Sequence, residues 1–350
     1  MPDLTEQKSI ATPPDSHDFE LAPADHIEKI NGEDILVFLD NYDERLKNEI
    51  SRVREALNRD SSLTDIMKLV SDIRKLGQEI RLEAKKLETS DTNGYVRHDA
   101  NNILSWSVMS LQDFARYLDT TDEVSFKEKL LIELEDAQKS WLVYKLIMQD
   151  VGFRYQDGEN MVSAVTARFD QERDTADLVT ALKQLLKKKL DESKIFIDID
   201  PNSADLKIAT PHGLILNMIQ NSLSNAMAEN VGARSFIFQI KQVENELVFS
   251  LYDDGVGMPA ESLQRDNEKF ICKKGTSGKG STGLGLAFAD KRLAQAQATL
   301  IITSRQKLMS ESYDAIHSFP PVIAVKLESI ELDRKEGTYS TCFQIRVPII

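Results

Sequence analysis

The chain has 350 residues, of which 41% are hydrophobic, and it carries a formal net charge of −14 with a pI near 5.0. The length predicts two or three domains, and such an acidic surface makes nucleic acid and anionic membranes unfavourable partners. The two cysteines exclude a disulfide framework, and no apolar run approaches the roughly 18–20 residues that a membrane span needs. We therefore expect a cytoplasmic protein, with a disordered polar leader over residues 1–25.

Two helices are predicted in residues 26–90, which we interpret as a helical input region. Apolar residues recur at helical spacing from Ile35 to Leu57, and Ser61 and Ser62 follow as candidate N-caps. From Leu63 to Leu87 the apolar residues keep a strict three-four spacing, which is the pattern of a coiled-coil seam. A single amphipathic helix packed on its own chain gives the same pattern. Both a dimeric coiled coil and internal packing are therefore compatible with this segment.

Residues 91–152 are predicted to form a helical hairpin. Its first helix spans about Tyr95 to Leu118, a turn follows at Asp119–Asp122, and a second helix continues to about Gly152. The apolar positions of that second helix are Leu130, Leu134, Ala137, Trp141, Tyr144 and Met148. One hairpin buries little apolar surface, whereas two hairpins make a four-helix bundle. We therefore expect a homodimer.

The pattern changes to mixed α/β after a predicted linker at residues 153–172. Three helices are predicted here, at Ala176–Leu190, Pro211–Glu229 and Gly283–Ala294. The predicted strands are Lys194–Asp200, Leu206–Thr210, Phe236–Lys241, Glu246–Tyr252, Thr299–Thr303, Pro321–Leu327 and Tyr339–Pro348. Residues 173–350 therefore form a domain of the α+β class that is distinct from the helical hairpin.

Two glycine-rich stretches of this domain predict a nucleotide pocket. Asp253 ends a predicted strand, where its carboxylate can accept a hydrogen bond from an adenine amine. Gly255 and Gly257 come directly after it, at positions where the backbone has to turn sharply and approach a base. Further along, Thr282, Gly283, Leu284 and Gly285 open a predicted helix whose free N–H groups suit phosphate oxygens.

Side chains elsewhere in the domain complete the predicted pocket. Asn221 and Asn225 lie one turn apart on a predicted helix, and the amide oxygen of Asn225 is a candidate Mg²⁺ ligand. The polar segment between the two glycine-rich stretches carries Lys273, Lys274 and Lys279, which can cover the phosphates. Along the chain these features follow one another as helix, strand end, polar segment and helix start. It is this order, rather than any single motif, that makes the prediction of a nucleotide pocket specific.

The predicted hairpin carries a candidate phosphoryl acceptor near its start. The imidazole of His98 is a competent nucleophile near neutral pH, and Asp99 beside it can accept a proton. Asn102 lies one helical turn further on, where it can orient a water molecule for the reverse hydrolysis. A nucleotide pocket combined with an accepting histidine predicts phosphoryl transfer to His98.

These motifs resemble those of the GHKL ATPase superfamily, and within it the catalytic domain of bacterial sensor histidine kinases. Asn221 and Asn225 match the N box, and the segment Asp253–Gly257 matches the first glycine box. Gly283 and Gly285 match the second glycine box, and the segment His98–Asn102 resembles the H box in its His-Asp-x-x-Asn form. The resemblance implies a Bergerat fold, an α/β sandwich with ATP and Mg²⁺ bound under a flexible lid.

The resemblance also implies a function in two-component signal transduction. His98 would be autophosphorylated from ATP, and the phosphoryl group would pass to an aspartate on the receiver domain of a separate response regulator. Phosphatase activity toward that regulator is a further expectation. Two alternatives belong to other classes of protein. One is a phosphotransferase or scaffold that does not bind ATP, and the other is a GHKL ATPase that drives a conformational change.

Overall fold

A computed structural model describes residues 32–59, 61–86, 123–155, 173–190, 194–228, 231–258, 293–304, 323–324 and 338–350. Long helices come first in the chain, namely α1 (Gly32–Asn58), α2 (Leu63–Lys86) and α3 (Glu123–Tyr155). The predicted first helix of the hairpin, at 95–118, lies outside the described residues. Helix α3 runs past its predicted end at Gly152, so the first residues of the predicted linker are helical.

Helices α1 and α2 form an antiparallel pair. Tyr42 and Arg45, in the first half of α1, both donate hydrogen bonds to Glu79 near the end of α2, at 2.8–3.0 Å. Ser62 begins α2 as predicted, because its hydroxyl accepts the N–H of Asp65 at 3.2 Å. The seam of α2 is buried within this one chain at Ile66, Val70, Ile73, Ile80 and Ala84. Internal packing therefore accounts for the spacing, and no dimeric coiled coil is needed to cover it.

Helix α3 packs its predicted seam against α1. Asp43 of α1 accepts hydrogen bonds from the indole N–H of Trp141 at 2.9 Å and from the ammonium of Lys145 at 2.5 Å. All the predicted seam residues of α3 are buried, from Leu130 to Met148. The prediction that α3 has an apolar seam is thus confirmed. In this chain α1 covers that seam, whereas the sequence had suggested that a second copy would.

In the part of the chain that the structure describes, the remaining elements form an α/β domain around a five-stranded sheet. Its helices are α4 (Thr175–Lys189) and α5 (His212–Ala226), with a 3-10 turn at Pro201–Asp205. The strands of the sheet are β2 (Ile195–Ile199), β4 (Phe236–Val243), β5 (Glu246–Asp253), β6 (Thr299–Ser304) and β9 (Thr341–Pro348). Two short pairs accompany it, β1 (Arg173–Asp174) with β3 (Lys207–Ile208) and β7 (Ile323–Ala324) with β8 (Thr338–Tyr339).

The strand order in the sheet is β2-β4-β5-β9-β6. Only the β2–β4 pair is parallel, and the other neighbours in this sheet are antiparallel. The hairpin β4–β5 turns at Glu244, whose φ of 55° falls in the left-handed region that tight hairpin turns use. In each strand alternate residues point to the helices, so the core face is built from Phe238, Ile240, Phe249, Leu251, Phe343 and Ile345.

The elements stack in a fixed order. Helix α5 contacts β5, helix α3 contacts both α4 and α5, and α1 contacts α3. Contacts therefore run from the sheet through α5 to α3, and from α3 to α1, while α4 packs against both α5 and α3. The mixed α+β class predicted from the sequence is confirmed, and the strand that ends at Asp253 lies at the centre of the sheet.

Candidate functional site

The site is built around the end of the central strand β5. Asp253 is its last residue and is only 2% exposed. In the register of the sheet Asp253 lies between Phe236 of β4 and Thr341 of β9. Its Oδ1 atom accepts the backbone N–H of Gly255 at 3.0 Å, so the carboxylate is oriented by the turn after the strand. The sheet thus presents an oriented acidic side chain where β5 stops.

The structure explains why glycine occupies both positions 255 and 257 after Asp253. A Cβ atom at Gly255 would lie 2.7 Å from Cγ1 of Val231 and 2.9 Å from Oδ1 of Asp253. Any side chain there would displace the carboxylate or the Val231 loop. Gly257 has a φ of 73°, which favours glycine. The two positions were predicted from the Asp-x-Gly-x-Gly pattern, and the structure gives each a separate cause.

Hydroxyl side chains at the start of β9 and the end of β6 hold this turn, and they were not predicted from the sequence. Ser340 donates to the carbonyl of Gly255 at 2.6 Å, and its backbone N–H donates to the carbonyl of Asp253 at 2.9 Å. The hydroxyl of Ser304 accepts the N–H of Met258 at 2.9 Å and pairs with Thr341 at 2.8 Å. The sequence signal that could have indicated Ser340 is a cluster of small hydroxyl residues, Thr338, Ser340 and Thr341, around the start of the last predicted strand.

Asn221 and Asn225 lie in the last two turns of α5. Asn221 is half-buried and Asn225 is exposed. The chain leaves α5 and reaches Val231, whose carbonyl accepts the N–H of Val256 at 3.0 Å. This loop links the end of the asparagine helix to the glycine turn. The structure therefore joins two of the predicted motifs through Val231.

Asp254 secures the same loop from the other side. Its Oδ1 atom accepts the backbone N–H groups of Arg234 at 2.6 Å and Ser235 at 2.9 Å. The two consecutive aspartates consequently differ in what they hold, because Asp253 caps the glycine turn whereas Asp254 fixes the loop that leads into β4. Only Asp253 is in the position predicted for a base-binding carboxylate.

Two other ionisable groups near the strand end are neutral at physiological pH. Burial raises the pKa of Cys342 to about 12, and burial together with Cys342 raises the pKa of Tyr252 to about 12. Neither side chain supplies a negative charge or a nucleophile there. Among the described residues, no group of three or more His, Cys, Asp or Glu side chains has an arrangement that would hold a metal ion.

A histidine that was not predicted from the sequence to have any role begins α5. His212 is 7% exposed, and its Nε2 atom has no hydrogen-bond partner within the described part of the chain. Burial, followed by the charge of Arg173, lowers its pKa to about 4. His212 is therefore a neutral packing residue at pH 7. Its sequence neighbourhood carries no signal that distinguishes it from an exposed histidine.

Several predicted site residues lie outside the described residues. These are His98, Asp99, Asn102, Lys273, Lys274, Lys279, Thr282, Gly283, Leu284 and Gly285. The structure brings together Asp253, Gly255 and Gly257 and links them to the helix of Asn221 and Asn225. The roles of all these residues stay predictions.

Among the described helices, none combines the length and the apolarity that a membrane crossing requires.

Comparison with known proteins identifies the domain that holds this site. Residues 212–349 match the family of histidine kinase-, DNA gyrase B-, and HSP90-like ATPases. The match begins at the start of α5 and ends one residue after β9, and it includes every described residue of the candidate site. The predicted GHKL-type ATPase domain is therefore confirmed for this part of the chain.

Two curated relatives are sensor proteins. The chain is 31% identical over 96 residues to the sensor histidine kinase WalK of Bacillus subtilis, covering 26% of this chain and 16% of the relative. It is 26% identical over 129 residues to the sensor protein CreC of Escherichia coli, covering 36% of this chain and 27% of the relative. The chain thus spans about a quarter or less of the length of these relatives. The resemblance to sensor histidine kinases is confirmed at the level of the ATPase domain.

Solved structures of histidine kinases are also similar. The catalytic domain of histidine kinase ThkA, in a nucleotide-free form, is 16% identical, and the alignment covers 51% of this chain and 96% of that domain. The TM-score is 0.35, which is too low to establish a shared fold. The functional assignment therefore rests on the family match and on the geometry around Asp253.

Proposed function

We propose that this chain is a protein histidine kinase that transfers the γ-phosphoryl group of ATP to His98. The observation that carries the proposal is the buried Asp253 at the end of β5, oriented by the N–H of Gly255, within a domain that matches an ATPase family. A carboxylate in that place suits the exocyclic amine of adenine, because a charge-assisted hydrogen bond is stronger than a neutral one.

The described residues fit a bound nucleotide. A base that binds at Asp253 would meet backbone rather than a side chain at Gly255 and Gly257. Ser340 and Ser304 keep that backbone in place. We assign adenine binding to Asp253, Gly255 and Gly257.

We assign the binding of the phosphates and of the metal to residues outside the adenine site. We assign Asn225 as a ligand of Mg²⁺ and Asn221 as its neighbour on the same face of α5. Lys273, Lys274 and Lys279 neutralise phosphate charge, and Thr282, Gly283, Leu284 and Gly285 offer backbone N–H groups to phosphate oxygens. When bound, Mg²⁺ offsets the negative charge that accumulates on the phosphates during transfer.

The transfer step is assigned to three residues of the predicted hairpin. An imidazole nitrogen of His98 attacks the γ-phosphorus, the bond from phosphorus to the bridging oxygen breaks, and ADP leaves. Asp99 accepts the proton that the imidazole loses. Asn102 orients water for the reverse hydrolysis, which makes it a determinant of phosphatase activity.

The proposed kinase activity also implies a partner protein and a homodimeric assembly. A phosphohistidine is an activated donor, and we assign an aspartate in the receiver domain of a separate response regulator as its acceptor. A homodimer in the cytoplasm is part of the proposal. Because α1 covers the seam of α3, a second copy would have to use another face of the hairpin or displace α1.

Incubation with γ-labelled ATP and Mg²⁺ tests the proposal. We expect a label on the full chain that is labile in acid and stable in base, and that is absent from the His98→Ala and Asp253→Asn variants. ATP hydrolysis without a stable label would instead indicate a GHKL ATPase that drives a conformational change. Failure to bind nucleotide at all would indicate an ATP-independent phosphotransferase or scaffold.

A further inference from the structure

Helix α1 meets α3 along one face of its own surface. Asp43 and Arg54 are eleven residues apart in α1, which is about three helical turns, so both side chains lie on the same face. Asp43 bonds to Trp141 and Lys145, and Arg54 donates to Oε1 of Gln138 at 3.1 Å. The earlier residue of α1 thus meets the later residues of α3, so the two helices run antiparallel. The contact extends for about 16 Å along α1.

The contact satisfies a buried polar group that an apolar seam would leave unpaired. Trp141 is 3% exposed, so its indole N–H is shielded from water and needs an acceptor in the protein. Asp43 of α1 is that acceptor, and the ammonium of Lys145 shares the same carboxylate. The other predicted seam positions of α3 are Leu130, Leu134, Ala137, Tyr144 and Met148. A second copy of α3 laid seam to seam would therefore bring no carboxylate from its seam positions.

Helix α1 also has the advantage of belonging to the same chain as α3. A covalently linked partner acts at an effective concentration on the order of mM, whereas a second copy competes only at its own concentration. At micromolar concentrations a second copy would need a roughly 10³-fold higher intrinsic affinity for the seam to displace α1. Both the chemistry of the contact and its connectivity consequently favour α1 over a second copy.

We propose that α1 takes the place of a second copy on α3, so that α1 and another chain compete for the same seam. The chain is a monomer while α1 is bound there, and two chains pair through α3 only after α1 has left. This inference rests on the homodimer of the proposed function, because it states what restrains that assembly. The seam of α3 is thus an interaction surface for a second copy of this chain that α1 covers.

The molar mass of the full chain in solution tests the competition. Light scattering after gel filtration, at micromolar concentration and without nucleotide, should give 39.5 kDa for the parent. Asp43→Ala removes the acceptor of Trp141 and Lys145, which should favour release of α1 about 10-fold or more. Both chains of a dimer have to release α1, so the dissociation constant of the dimer should fall about 100-fold.

A second variant keeps the test valid if Asp43→Ala does not fold. Arg54→Ala removes the hydrogen bond to Gln138 and leaves the Asp43 contact in place, and we expect it to shift the equilibrium toward the dimer in the same direction. The matched control is Arg52→Ala, because the exposed Arg52 pairs with Glu49 of its own helix at 2.7 Å. This control should have the molar mass of the parent at every concentration.

Cross-linking identifies the chain on which α1 lies. A zero-length carbodiimide reagent joins the carboxylate of Asp43 to the ammonium of Lys145, which are 2.5 Å apart. The reagent is added to an equal mixture of ordinary and heavy-isotope Arg54→Ala chains, and the monomer and dimer fractions are then separated. We expect same-isotope cross-links in the monomer fraction and a strongly reduced yield of any Asp43–Lys145 cross-link in the dimer fraction.

Three results would overturn the competition. The first is a dimer that keeps the same-isotope cross-link, because the second copy would then bind another face. The second is a mixed-isotope cross-link, because α1 would then cover the seam of the other chain. The third is an unchanged molar mass in folded Asp43→Ala and Arg54→Ala at all concentrations. ATP enters none of these measurements, so failure to phosphorylate His98 would refute the proposed kinase activity and leave the result on the seam unaffected.

Discussion

At the scale of single residues, the site depends on which of two adjacent aspartates ends the strand. Asp253 is buried and caps the glycine turn, whereas Asp254 anchors the loop at Arg234 and Ser235. The sequence was sufficient to predict the first role, because the Asp-x-Gly-x-Gly spacing specifies both the strand end and the turn. It was not sufficient to predict Ser340 or Ser304, because their hydroxyl groups reach the turn only through the pairing of β5, β9 and β6.

The exchange Asp253→Asn should remove most of the affinity for ATP. Losing a hydrogen bond to a charged group costs about 1.5–3 kcal/mol, which raises the dissociation constant for ATP roughly 10- to 100-fold. Calorimetric titration with ATP·Mg²⁺ measures this directly. Asp254→Asn is the matched control, since it makes the same chemical change one residue away. Equal affinities of the two variants would show that Asp253 has no special role in binding.

Ser340→Ala should weaken nucleotide binding without unfolding the domain. The exchange leaves the carbonyl of Gly255 without its 2.6 Å hydrogen bond, which costs about 1–3 kcal/mol if that carbonyl stays unpaired. Ser250→Ala is the control, because Ser250 accepts a hydrogen bond from Gln344 in the middle of the same sheet. Both variants should lose stability in a thermal melt, and only Ser340→Ala should lose affinity for ATP. A parallel loss of affinity in Ser250→Ala would refute a positioning role for Ser340.

His212 should make the stability of the ATPase domain depend on pH. Burial and the charge of Arg173 lower its pKa to about 4, below the value near 6.5 of an unfolded chain. Between these two values the unfolded chain binds the proton more tightly, so the stability is full above pH 6.5 and falls as the pH decreases toward 4. From pH 7 to pH 5 this amounts to about 2 kcal/mol. Urea unfolding of the parent and of His212→Gln at both values should show a smaller loss in the variant, and identical losses would contradict the assignment.

At the scale of elements, hydrophobic spacing predicted the helices and strands well but not what covers them. The seams of α2 and α3 are buried as predicted, yet their partners are helices of the same chain. Spacing gives the phase of an apolar face and contains no information about which surface meets it. The face of α3 that packs on α4 and α5 was missed for another reason, because its buried Asp136, Ser140 and Asp150 make it look polar and therefore solvated.

The contact between α1 and α3 depends on a buried carboxylate. Burial, the largest single influence, would raise the pKa of Asp43, but hydrogen bonds from Lys145, Lys47 and Trp141 outweigh it and leave the pKa below its ordinary value. The stabilisation is therefore present at neutral pH, and it is lost as the pH falls through the lowered pKa of Asp43.

The exchange Asp43→Ala should consequently weaken the contact between α1 and α3. It leaves the indole N–H of Trp141 and the ammonium of Lys145 without their acceptor, at a cost of about 1.5–3 kcal/mol. Urea unfolding monitored by tryptophan fluorescence at pH 7 measures the loss. Asp40→Ala removes an exposed aspartate of the same helix and should change the unfolding free energy little. An equally small effect of Asp43→Ala would show that the apolar seam alone holds the two helices.

At the scale of the whole molecule, the helices and the sheet form a continuous stack from α1 through α3 and α4/α5 to the strand end at Asp253. The sequence predicted a helical part before an ATPase domain, and the family match confirms the second of these. It did not predict that one helix would contact both parts. The reason is physical, because the two faces of α3 differ in chemistry, and only the apolar face has the pattern that marks a buried helix.

The central claim is that this molecule moves a phosphoryl group from ATP to one histidine of its own sequence. Mass-spectrometric mapping at neutral pH, after incubation of the full chain with ATP and Mg²⁺, tests it most directly, because fragmentation assigns the phosphoryl group to an individual residue. We predict a single phosphohistidine at His98, absent when Asp253→Asn removes nucleotide binding. A phosphoryl group on any other residue, or none at His98 in a chain that binds ATP, would contradict it.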